Sequence, residues 1–193
     1  MRDINIMLKY HSLVLFSLLL VISHVVNASA PRDPYEFFFE QNLGDLTEEL
    51  ETAKDEGKKG VFIFFEMDEC PFCHRMKQTI LNQVEIQQLF KKNFHSIALD
   101  IEGDLEIVDF EGNETTQKEF SSKNRVRATP VMVFYDLEGK QVVRYTGAAS
   151  SSEEFEWLAE YFLKGVYKMK DKNGRNIRFG KYKRLKKKQK TIN

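Results

Sequence analysis

Cysteine is scarce in this chain: its 193 residues hold two, Cys70 and Cys73. Because they lie three positions apart, a framework of spaced structural disulfides is excluded, and whatever these thiols do they do as a pair. A closed zinc site needs four ligands. After residue 30 the chain offers His74 and His95 besides carboxylates, and no second C-x-x-C. No glycine-rich phosphate loop, acidic metal cluster or internal repeat is evident, so neither cofactor nor metal is expected. Net charge is missing as well, with 29 basic and 29 acidic side chains.

That neutrality hides a division. Residues 168–193 hold twelve Lys or Arg against Asp171, and residues 31–167 hold fifteen basic against twenty-seven acidic side chains. An acidic body thus carries a basic tail. Such a block can meet an anionic surface or an acidic partner, but the rule for runs of like charge favours a solvated, disordered tail. Nucleic-acid binding would rest on the tail alone, with Phe179 and Tyr182 as its aromatic residues, and is not expected.

The chain is 42% hydrophobic and 12% aromatic, enough for one domain with a real core. Sixteen Phe and seven Tyr favour an interior containing a sheet, so an α/β or α+β fold is expected. Arg2 and Lys9 precede an apolar run over residues 13–22, and Ala28-Ser29-Ala30 follows before Pro31. This pattern predicts a secretory signal over residues 1–30, cleaved after Ala30. The run is short against the ~20 apolar residues of a spanning helix, although the uncharged stretch over 10–31 leaves an uncleaved anchor as the alternative. Either way an extracytoplasmic, periplasmic location is expected.

Asp45 caps a helix predicted over 46–57, which Gly57-Lys58-Lys59-Gly60 ends. Residues 61–65 are a continuous apolar run suited to a strand covered on both faces. Cys70-Pro71-Phe72-Cys73-His74 comes directly after it, and Met76, Ile80 and Leu81 continue at helical spacing. Pro71 is acceptable there because a first-turn amide has no intrahelical partner. A second helix over 84–92 and a strand over 94–101 complete a β-α-β unit with parallel pairing. Residues 102–113 read as a loop or small hairpin and 115–123 as a helix. Strands over 131–135 and 141–145 form an antiparallel hairpin, and Ser151 or Ser152 caps a last helix that stops near Gly165.

A thiol between a buried strand and a helix start is a physical device. Backbone N–H groups and the positive helix end stabilise the thiolate, and C-x-x-C motifs bring a cysteine from ~8.5 to between ~3.5 and ~7.5. Cys70 is therefore the candidate nucleophile. Cys73, one turn further on, is the candidate resolving thiol. A zinc half-site and an ordinary local disulfide are the bland alternatives.

The run Phe64-Phe65-Glu66-Met67-Asp68-Glu69-Cys70-Pro71-Phe72-Cys73, with Thr129-Pro130 before a strand, resembles the thioredoxin superfamily and most closely its SoxW-type exported members. The likeness covers about residues 40–168 and includes Leu99-Asp100-Ile101 and Gly139-Lys140. It implies an α/β thioredoxin fold over residues 31–167, with a central mixed sheet flanked by helices. It also implies a cis peptide at Thr129-Pro130 and a substrate platform made by Thr129 and Pro130 beside Pro71 and Phe72. Disulfides of other exported proteins are the implied substrates, and a membrane donor of the thiol-transfer type would return the dithiol to its reduced state. The sequence departs from familiar thioredoxins in having Phe64 six residues before Cys70, where a buried aspartate is usual. Glu66 is the replacement candidate, acting through water on the Cys73 proton, and a solvated strand-end carboxylate is its bland reading. His74 could support the thiolate or be a plain surface residue, and His95 reads as a strand residue.

Two further readings use the same features. A disulfide oxidase or isomerase would run the cysteines in another direction, set by reduction potential. A thioredoxin-like binding module would hold extended peptides on the Thr129-Pro130 platform, with incidental cysteines.

Overall fold

The structure, a computed structural model, describes residues 30–41 and 44–192. The segment read as a signal or anchor therefore lies outside the described residues. Helix α1 (Pro34–Phe37) is followed by α2 (Leu46–Asp55), β1 (Gly60–Glu66), α3 (Pro71–Thr79), α4 (Val84–Asn93) and β2 (Phe94–Asp100). A hairpin of β3 (Glu106–Val108) and β4 (Glu114–Thr116) leads into α5 (Gln117–Lys123). Strands β5 (Val131–Tyr135) and β6 (Gln141–Thr146), then α6 (Ser152–Leu163) and α7 (Phe179–Ile192), complete the order.

The main sheet runs β2-β1-β5-β6, with β1 parallel to β2 and the β1–β5 and β5–β6 pairs antiparallel. This is the mixed sheet and α/β class that the resemblance implied. All seven residues of β1 are buried, as its unbroken apolar run requires of a strand covered on both faces. Its alternate side chains enter two different cores. Phe62 and Phe64 meet Phe90 of α4, Phe155 and Phe162 of α6 and the two cysteines, whereas Val61, Ile63 and Phe65 meet Leu46 and Leu50 of α2 and Phe120 of α5. Phe90 and Phe155 stack with ring centroids 4.5 Å apart, and Phe62 packs edge-on against Phe90 and Phe134. Gly60 opens β1 where a Cβ would lie 2.2 Å from the Tyr135 carbonyl oxygen, so a side chain has no room there.

Local capping explains several boundaries. Asp45 Oδ1 accepts the Thr47 and Glu48 amides at 2.8 and 3.2 Å and starts α2. Thr116 and Glu119 form a reciprocal capping box. That box corrects the expected start of the helix at residue 115: Thr115 and Thr116 pair in β4, and the helix begins at Gln117. Ser151, of the two serines considered, is the cap of α6.

The disordered tail expected from the charge block is the larger correction. Residues 169–177 form a tight turn around Asp171, with the Ile177 amide donating to the Met169 carbonyl, and α7 then lies along α6. Phe179 is buried between the rings of Tyr145 and Tyr161. Lys183 reaches Glu154 at 2.7 Å, Lys186 reaches Glu160 at 2.7 Å, and Lys190 reaches Glu153 at 3.0 Å. Burial works against the Glu154 charge, but Lys183, Ser150 and Tyr145 overcome it and hold the carboxyl down at about 2. Glu160, between Lys164 and Lys186, is likewise held at about 2 against its burial. The basic block folds because the acidic face of α6 is matched to one side of it.

Candidate active site

Strand β1 delivers the chain to Cys70, which is the N-cap of α3 in extended conformation, and Pro71 opens the helix. Cys70 and Cys73 are joined by a disulfide of 2.08 Å. The Cys73 amide donates to Cys70 Sγ at 3.1 Å, so a first-turn N–H is spent on the sulfur at the helix start. Cys73 is wholly buried and Cys70 retains 2% exposure. Around the buried pair the surface is open: Phe72 is 58% exposed, and the Arg75 guanidinium lies 5.6 Å from its ring centre. The first turn of α3 carries no acidic residue to oppose a thiolate.

The peptide between Thr129 and Pro130 is cis, as the resemblance implied. Its place follows from the sheet. Phe65 of β1 is opposite Val131 of β5, so continuing that register sets Pro130 across from Glu66, at the end of the sheet where β1 leads to Cys70. The Pro130 carbonyl accepts the Gly147 amide at 2.9 Å, which ties the loop to the end of β6. The Thr129 hydroxyl oxygen is buried and has no partner, while Arg127 and Ala128 before it are exposed.

Glu66 is not the solvated strand-end carboxylate of its bland reading. It is buried, and both oxygens are engaged: Tyr35 OH donates to Oε1 at 2.7 Å and Lys77 Nζ donates to Oε2 at 2.7 Å. Lys77 Nζ also donates to Tyr35 OH at 2.7 Å and lies 4.8 Å from the centre of that ring. Burial disfavours the Lys77 charge, yet the bonds to Glu66 and Tyr35 raise its pKa above the ordinary lysine value. Partial burial raises the Tyr35 phenol, with Lys77 pulling the other way and Glu66 adding to the rise. In this cluster Lys77 and Tyr35 are the donors and the Glu66 carboxyl oxygens the acceptors. Lys77 is four residues beyond Cys73 on α3, so the helix places it on the same side as the cysteines. Glu66 shares a strand face with Phe64, which packs in the core that contains both sulfurs.

Sequence reasoning named Glu66 but missed its partners. The i+4 spacing from Cys73 to Lys77 was a signal; the approach of Tyr35, thirty-one positions before Glu66, had none. His74 is exposed, and its Nε2–H donates to the Asp68 carbonyl at 2.8 Å, pinning the turn before Cys70. His95 is buried in β2 with Nε2 2.5 Å from Glu49 Oε2, and no group of three or more metal-binding residues occurs among the described residues.

Comparisons with known proteins agree with this architecture. No curated protein sequence matches the chain. Among solved structures, a thioredoxin-fold protein from Helicobacter pylori superposes with a TM-score of 0.57 at 22% identity, covering 71% of this chain and 88% of that one. A candidate disulphide-isomerase from Bacteroides thetaiotaomicron gives 0.53 at 22% identity, over 74% and 99% of the two chains. At such identity these likenesses speak for the fold alone. The thioredoxin-like domain family matches residues 46–163, a span that runs from the first residue of α2 through both cysteines and the cis-proline to the end of α6. On that match, extended over more than half of its length, the chain belongs to the thioredoxin-like domain family.

Proposed function

We propose that this protein is an exported thiol-disulfide oxidoreductase of the SoxW type that reduces disulfides in other exported proteins. The observation that carries the reading is the sulfur pair at the start of α3, with the Cys73 amide bonded to Cys70 Sγ at 3.1 Å. In the dithiol form, the Cys70 thiolate attacks one sulfur of a substrate disulfide and the other sulfur leaves as a thiolate. The Cys73 thiolate then attacks Cys70 Sγ, breaking the mixed disulfide and releasing the second substrate sulfur. Two electrons pass to the substrate and the Cys70–Cys73 disulfide remains. A membrane donor of the thiol-transfer type returns the two electrons.

Thr129 and Pro130, with Pro71 and the exposed Phe72, are the substrate platform in this reading. Glu66 accepts the Cys73 proton through water, and Lys77 and Tyr35 hold its carboxyl in place. Residues 1–30 are the export segment and residues 31–167 the thioredoxin-like domain. Among the described residues no helix is long and apolar enough to cross a membrane. The unpaired cations of residues 168–193 give the domain a surface for anionic groups.

The test is insulin-disulfide reduction by residues 31–193 with dithiothreitol as electron source. Turnover in the wild type and its loss in both Cys70→Ser and Cys73→Ser support a dithiol reductase. Equal turnover with and without protein sinks it, and faster oxidation than reduction of a model peptide reverses the direction.

A further inference from the structure

The family match stops at residue 163, and the segment beyond it is the most basic part of the molecule. Its helix α7 has two unlike sides. Lys183, Lys186 and Lys190 face α6 and are consumed by Glu154, Glu160 and Glu153. Arg184, Lys187 and Lys188 are exposed and make no ion pair or side-chain hydrogen bond among the described residues. They stand three and four positions apart, where like charges on a helix repel one another. No acidic residue follows Asp171, whose carboxylate is spent on Lys181 of the first turn of α7 at 3.0 Å. Nothing in the fold requires this crowding, since the clamps to α6 are made by other residues.

We propose that the outward side of α7 is a docking surface for an anionic lipid bilayer. Charge complementarity is the first argument: a strip of unpaired cations along a helix ~21 Å long suits a surface of lipid phosphates. Leu185 is the second. It is 48% exposed amid Arg184 and Lys188, a position that costs free energy in water and that the interfacial layer of a bilayer accommodates. A nucleic acid fits less well, because Phe179 and Tyr182, the aromatic rings of α7, pack inward on Tyr161 and offer no base a stacking face. The surface does not depend on the redox reading and stands or falls separately from it.

The experiment uses residues 31–193, which contain both hydrophobic clusters and every clamp of α7 to α6. Flotation is measured with phosphatidylcholine vesicles with and without about 30% phosphatidylglycerol. The wild type is expected to float with the anionic vesicles alone, and to be released when salt shortens the Debye length to about 3 Å. R184Q/K187Q/K188Q should weaken binding by at least about tenfold while its melting stays unchanged, since the three removed charges each contribute near such a surface. L185N should weaken it less and leave the salt dependence intact. Equal flotation with neutral vesicles, no flotation at all, or wild-type binding by the triple variant would overturn the proposal. So would binding to duplex DNA or polyglutamate by a protein that ignores the anionic vesicles.

Discussion

The two ends of this domain are held by opposite physics. Around β1 and α3, rings and aliphatic chains are fully buried, and the charged group that enters, Glu66, does so with both oxygens bonded. Along α7, the contact to the body is made by three ion pairs with Phe179 and Tyr182 as the apolar seam. Burial of apolar area is insensitive to charge screening and to pH, whereas partly exposed charge pairs are not. The molecule therefore joins a core of fixed geometry to an appendage whose attachment responds to its surroundings.

The comparison is sharpened first at the cysteines, where the largest effect is expected. Cys70→Ser should leave no detectable insulin reduction. Cys73→Ser should accumulate a mixed disulfide visible by mass spectrometry, and catalytic release without Cys73 would contradict the assigned order. In the core, Phe90→Ala removes the ring stacked on Phe155 and should cost ~3–5 kcal/mol in urea unfolding, equally at low and high salt.

Acid should break the appendage before the core. Glu154 is held at about 2, below the 4.5 of a free glutamate, and Lys183 of α7 is the foremost of the groups that lower it. Losing Lys183 on release raises this carboxyl, so the docked state binds fewer protons than the released one and its advantage is lost as pH falls towards 2. Trp157, the single tryptophan, lines a pocket with Glu154, Lys187 and Lys190 and reports the event by fluorescence. Glu154→Gln should shift that transition upward or release α7 at neutral pH, and an α7 that leaves only with global unfolding would refute the separation. The smallest effect is expected at Tyr35→Phe, which deletes the hydrogen bonds to Glu66 and from Lys77 and should cost ~2 kcal/mol in urea unfolding. A loss as large as that of Phe90→Ala would make the charged cluster part of the stability core.

Much of this architecture was legible because its signals are local. The unbroken run over 61–65 is a buried strand, the caps at Asp45 and Ser151 start helices, and the cysteine spacing is set on the first turn of α3. The misread start of α5 has a local cause too: Thr115 and Thr116 suit a cap as well as a strand, and pairing with Ile107 and Glu106 decided between them. The tail was misread for a different reason. A run of lysines looks solvated unless a matching row of carboxylates is known to face it, and Glu153, Glu154 and Glu160 lie one element away. Their spacing beside that of Lys183, Lys186 and Lys190 was readable, but adjacency of the two helices was not.

The site divides in the same way. Cys70, Cys73 and the strand-to-helix turn that holds them follow from about ten consecutive residues, because propensity, capping and apolar periodicity act over one or two turns. The sequence by itself therefore determined the cysteine pair and its place at a helix start, the α/β alternation and the two faces of β1. What only the tertiary structure decided is which distant groups share a low-dielectric space. Tyr35 and Lys77 close on Glu66, Pro130 comes level with it across the sheet, and α7 finds the acids of α6. Those contacts join residues far apart in the chain, and their strength depends on the water that folding removes, which no stretch of sequence records.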